Sequence, residues 1–183
     1  MPKRSRYAIY VLILALAGYM YFFSDGRVTV HEDQLSKAIP WSKTGNLNVR
    51  SDTITNIFQK SPYNLRFEFV PFSDGLSRFV GRSMDGLILV ELVGPSDGLV
   101  GAVMMAALPE ENDLVVLRNL NALLSLVRLA MPEWTNSEDW LSSSIPAAFD
   151  NQPISIIESG KTLTLRVVPN TTTLVMSIRG PSL

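Results

Sequence analysis

The chain has 183 residues, 46% of them hydrophobic and 18% charged, with a formal net charge of −1. That is length for one modest domain and an appendage, and so low a charge content implies apolar surface that meets something other than water. The absence of cysteine and the single histidine, His31, exclude disulfides, thiolate metal sites, a cysteine nucleophile and any two-histidine metal centre.

Lys3, Arg4 and Arg6 form a basic leader, residues 1–6, ahead of an uncharged run, Tyr7–Phe23. As a helix rising about 1.5 Å per residue, the run covers roughly 25 Å, near the short end of a membrane span. Tyr7, Tyr10, Tyr19 and Tyr21 lie in it with Phe22 and Phe23, and the rings gather towards its ends as interfacial aromatic belts do. The positive-inside rule places the leader in the cytoplasm and everything after Ser24 outside. Two readings compete: a signal peptide cleaved after Ala17, where Ala15-Leu16-Ala17 supplies small residues, and a buried core helix. The apolar run continues past Ala17, and a core helix has no use for the basic flank. The expectation is an uncleaved signal-anchor, single-pass in a bacterial inner membrane, with a periplasmic C-terminal domain.

Beyond Ser24 stand thirteen basic and seventeen acidic side chains, a net of −4. No basic stripe appears there, so nucleic acid is disfavoured as a partner. Residues 24–62 read as a juxtamembrane lead-in. Within it Thr29 and Glu32 have capping-box spacing before Leu35 and Ile39, with Pro40 as a stop. Ser51-Asp52 opens another short helix, with Ile54, Ile57 and Phe58 on one face. Residues 63–183 read as an extracytoplasmic α+β domain able to fold without the lead-in.

Asp-Gly-Leu occurs at Asp74-Gly75-Leu76, Asp85-Gly86-Leu87 and Asp97-Gly98-Leu99. Asp-Gly is a strong signal for two-residue type I′ hairpins, and the apolar runs around these turns read as a four-stranded antiparallel meander. In the first run Leu65, Phe67 and Phe69 alternate with Arg66 and Glu68. The third and fourth runs are apolar on both faces and belong at the centre of the sheet or under cover on both sides. Calcium ligation by the aspartates is disfavoured, because successive turns of a meander lie at opposite ends of the sheet.

Asn112 or Asp113 then opens an amphipathic helix to Leu129. Its apolar stripe is Val116, Leu120, Leu123, Val127 and Ala130, its polar stripe Arg118, Asn121, Ser125 and Arg128, and Pro132 ends it. Thr135 and Glu138 form a capping box for a shorter helix through Trp140 and Leu141, which Pro146 ends or kinks. Three more strands follow, with turns at Gly160 and at Pro169-Asn170. Strands, helices and strands in separate blocks predict helices packed on an antiparallel sheet.

The side chains suited to chemistry lack the spacing chemistry needs. Ser142-Ser143-Ser144 and Ser36 have no positioned base, Lys37 and Lys161 stand at no Ser-x-x-Lys spacing, and His31 falls in the lead-in. Glu110-Glu111 and Glu138-Asp139 stand where helices begin and answer to the helix dipole. Glu91, inside an apolar strand, is expected to pair with Arg78 or Arg82 on the neighbouring strand. No catalytic, cofactor or metal residue emerges, and an enzyme is not expected. The expected function is protein interaction, as an accessory of an envelope complex or an exclusion or immunity factor. The alternatives are a module binding an apolar ligand or lipid under the Asn112–Leu129 helix and, more weakly, an envelope hydrolase. The candidate partner surface is Trp134, Trp140, Glu138 and Asp139, two of the three tryptophans set among acids, since Trp is enriched at binding hot spots. The competing role for both rings is to pack back onto the domain and fix the angle between the two helices.

Overall fold

The computed structural model describes residues 41, 44–71, 76–150 and 152–182, all within one compact unit, Glu32–Leu183. The basic leader, the anchor run, His31, Ser36, Asp74 and Gly75 lie outside the described residues. Among the described residues no helix is long and apolar enough to cross a membrane.

The described residues form an α+β fold with a seven-stranded antiparallel sheet and three helices. The order is α1 (Ser51–Phe58), β1 (Arg66–Pro71), β2 (Ser77–Arg82), β3 (Ile88–Val93), β4 (Gly101–Ala107), α2 (Asp113–Ala130), α3 (Ser137–Phe149), β5 (Ile154–Glu158), β6 (Lys161–Val167) and β7 (Thr173–Arg179). The two meanders fuse into one sheet of spatial order β1-β2-β3-β4-β7-β6-β5, because β7 pairs with β4 along its whole length. The chain's last strand therefore sits beside the central one, and β1 and β5 form the edges.

One face of the sheet carries the core. Val90, Leu92, Ala102, Met104, Leu163, Leu165, Met176 and Ile178 pack with Leu123, Leu126, Val127 and Ala130 of α2 and Leu141 of α3. Leu123, Leu126, Val127 and Ala130 of α2 are fully buried in this core. The opposite face is apolar and buried at its centre as well, at Val80, Leu89, Val93, Val103, Met105 and Val175. This accounts for the uniform apolarity of β3 and β4, whose residues are buried on both faces. Trp41 stands over Gly101 on that second face, so close that a Cβ there would overlap its ring.

The second face also holds an ion pair. Arg78 donates to Glu91 at 2.6 Å, diagonally across β2 and β3, with both side chains buried. Of the two arginines expected as partners for Glu91, Arg78 makes this contact.

Several local expectations change. The residues before Tyr63 are part of the core: Leu47, Ile54 and Phe58 are fully buried, the Leu47 and Leu99 backbones are hydrogen-bonded, and Thr44 bridges to Ser182. A boundary at Tyr63 thus cuts through packed side chains.

Neither described Asp-Gly pair makes a type I′ turn. Gly86 N–H donates to the Ser83 carbonyl and Gly98 N–H to the Pro95 carbonyl, so each pair occupies the last two positions of a β-turn. Asp85 instead works through its side chain. Its carboxylate accepts from the Ser83 hydroxyl at 2.6 Å and the Leu87 amide at 3.1 Å, and pairs with Arg118 of α2 at 2.7 Å. Partial burial pushes its pKa up, but these three donors outweigh it and hold the group below the usual carboxylate value. The I′ geometry appears at Ser159-Gly160, where both residues have positive φ, 51° and 76°.

In α2 the Asn112 side chain caps the helix by accepting from Val115 N–H at 3.2 Å. The buried stripe is rotated from the expected one. Asn119 is buried and donates to the Ala107 carbonyl at the end of β4, at 2.6 Å, while Val116 and Leu120 are only half-buried. The capping box at Thr135 does not form. Asn136 is the N-cap and makes no side-chain cap bond, and Glu138 pairs with Arg128 of α2 at 2.6 Å. Helix α3 continues through Pro146 to Phe149.

Candidate functional site

Where α2 stops, the chain must turn sharply to lay α3 over the β5–β6 end of the sheet. Lys161, buried in β6, fixes that corner by donating to the Ala130 carbonyl at 2.8 Å, one of the acceptors a helix C-terminus leaves open. It also reaches Glu133 at 3.4 Å. Glu133's own backbone amide, helped by the Lys161 ammonium, holds that carboxyl below its ordinary pKa.

Trp134 follows, 8% exposed and part of the core. Its ring lies 5.6 Å from that of Trp140, tilted by 54°. Trp140 is one turn inside α3 and only half-buried, so it presents ring surface to solvent. The two tryptophans thus divide the roles: Trp134 sets the corner, and Trp140 forms a wall.

The wall borders an open cleft of about 490 Å³ between the start of α3 and strand β5. Asn136, Asp139, Trp140 and Ser143 come from the helix side, spaced to share one helical face, and Ile156 and Glu158 from the strand. Asp139 and Glu158 give the cleft a negative rim around an aromatic and aliphatic floor. The Ser143 hydroxyl donates back to the Trp140 carbonyl at 3.0 Å, the usual occupation of a helix-surface serine; Ser142 does the same towards Asp139. Among the described residues no three His, Asp or Glu side chains converge as a metal set.

Of the four residues singled out by sequence, the structure brings Trp134, Trp140 and Asp139 to this cleft, while Glu138 is taken up by Arg128. Ile156 and Glu158 were not on that list. Their segment reads plainly as a strand, but nothing in a strand's own sequence says which helix will lie beside it.

A second cavity, of about 290 Å³, lies on the opposite face at β1 and β2. Arg66 and Arg82, directly paired across those strands, stand there with Glu68. Its mixed charges and its lack of aromatic surface make it the less suited to a protein partner. The chain matches no family model, no curated protein and no solved structure.

Proposed function

We propose that the protein is a partner-binding domain held at a membrane by its N-terminal segment, with the C-terminal domain outside the cytoplasm. The observation that carries the binding part is the Trp140 cleft, a half-buried aromatic wall with acidic rims beside an edge strand of the sheet. Flat rings that bury much area with few rotatable bonds are the preferred anchors of protein contacts. The anchoring part rests on Lys3, Arg4 and Arg6 ahead of the Tyr7–Phe23 run. The setting proposed is a bacterial envelope, where such a domain would serve a larger complex or act in exclusion or immunity.

The test has two arms. Alkaline phosphatase fused after Leu183 should be active, and carbonate washing should leave the protein in the membrane; an inactive fusion or a released protein overturns the anchor. A photocrosslinking residue in place of Asp139 should capture a discrete protein in intact cells. Trp140→Ala should lower that capture while the melting temperature stays near that of the parent. Capture that is indifferent to Trp140 removes the cleft from the function.

A further inference from the structure

The two edges of the sheet are built differently. Strand β1 reads Arg-Phe-Glu-Phe-Val-Pro, with two charged side chains and a closing proline, the devices that keep an edge from pairing with foreign strands. Strand β5 reads Ile-Ser-Ile-Ile-Glu and carries none of them before its last residue. Among the described residues nothing pairs with β5 on its outer side. Glu158 and Lys161 flank the Ser159-Gly160 turn as a directly paired couple, and inward and outward hydrogen bonding alternates from there. The N–H and C=O groups of Ser155 and Ile157 therefore point away from the sheet. The Ile157 side chain is 71% exposed.

The same edge runs along the Trp140 cleft. Ile156 and Glu158 project into the cleft from one face of β5, and Ile157 stands on the other. An incoming strand would place alternate side chains on these two faces. Those on the cleft side would meet the Trp140 ring between Asp139 and Glu158, a setting that favours a cation over an aromatic face flanked by carboxylates. Those on the other side would cover Ile157.

We propose that β5 takes up an extended segment of a partner protein by strand addition, and that this segment alternates basic side chains, seated against Trp140, with apolar ones, seated against Ile157. The proposal rests on the reading of this domain as a partner-binding module. Backbone pairing supplies the affinity in such recognition, and the alternate side chains supply the specificity.

The test uses the full-length chain in detergent and a short, end-blocked peptide alternating valine and lysine. The peptide should bind saturably, quench tryptophan fluorescence, and slow amide exchange at Ser155 and Ile157. A valine–glutamate peptide should bind at least about tenfold more weakly, because like charges would meet at Asp139 and Glu158. Trp140→Leu should weaken the lysine peptide by about fivefold. Ile157→Pro deletes an outward-facing donor and leaves the β5–β6 ladder its bonds, as proline does on an edge strand; it should weaken binding by at least about tenfold. Should Ile157→Pro fold poorly, N-methylation of alternate peptide amides tests the same pairing from the other side. Equal binding of lysine and glutamate peptides, or binding indifferent to N-methylation, overturns the proposal. So does self-association through β5, seen as a concentration-dependent dimer abolished by Ile157→Pro, since the edge would then be filled by a second copy. If no peptide binds while crosslinking from position 139 still depends on Trp140, strand addition falls and the partner-binding reading stands.

Discussion

Arg78 and Glu91 meet at 2.6 Å with 1% and 6% of their side chains exposed, among valines and leucines on the second face of the sheet. Removing either partner takes a charge-assisted hydrogen bond away from the other at a site closed to water. Glu91→Leu or Arg78→Met alone should cost about 3–5 kcal/mol, and the double variant reports how much of that loss belongs to the pair itself. Chemical denaturation of the four proteins measures it; single variants within about 1 kcal/mol of the parent would show that the pair is not desolvated. The pairing was legible in the sequence, because an acid inside Leu-Ile-Leu-Val-Glu-Leu-Val has few other means of compensation. Asn119 was not. Its neighbours at helical spacing are Val115, Val116, Ala122 and Leu123, and what lets an amide sit among them is the Ala107 carbonyl, a backbone group that no side-chain pattern announces.

At the scale of elements, all seven strands and the two later helices follow from periodicity, which depends on local alternation and survives whatever the chain does elsewhere. Turn chemistry was less legible. Asp-Gly suits the closing half of a longer β-turn as well as a type I′ hairpin, and the side chains around Asp85 select the longer turn. The Ser159-Gly160 hairpin offers a clean measurement, since a Cβ at Gly160 would meet only Pro181 at an ordinary 3.8 Å. Any penalty there is conformational rather than steric. Gly160→Val should cost about 1–3 kcal/mol, because a β-branched residue resists a positive φ. Ser159→Asn should stabilise by a few tenths to about 1 kcal/mol, because Asn tolerates that backbone region better than Ser. Thermal melts of both variants decide the matter, and a Gly160→Val protein as stable as the parent would mean that the turn relaxes to another type.

The whole molecule depends on contacts that sequence order conceals. A fragment of residues 63–183 keeps every strand and both later helices, yet it loses Leu47, Ile54 and Phe58, each fully buried. Deleting buried side chains of this size costs about 2–5 kcal/mol apiece. Together the three losses are about as large as the whole stability of a typical domain, about 5–15 kcal/mol. The fragment should show no cooperative melting transition by circular dichroism, and one that melts as sharply as the full chain would return those residues to the status of a tether. The lead-in looked dispensable because a short helix and two lone apolar residues carry little periodic signal, and only the assembled core reveals their place. Topology sets a further condition, one of timing. The edge of β4 is completed by β7, the last strand made, so the β1–β4 half remains an open sheet throughout synthesis. Under the proposed anchor the leader stays in the cytoplasm and the segment after it crosses first, so the sheet would close only once β7 has followed. A sheet whose two halves meet only through β7 would stay threadable through a narrow channel until that strand arrived, and under the proposed topology it would lock on the far side of the membrane.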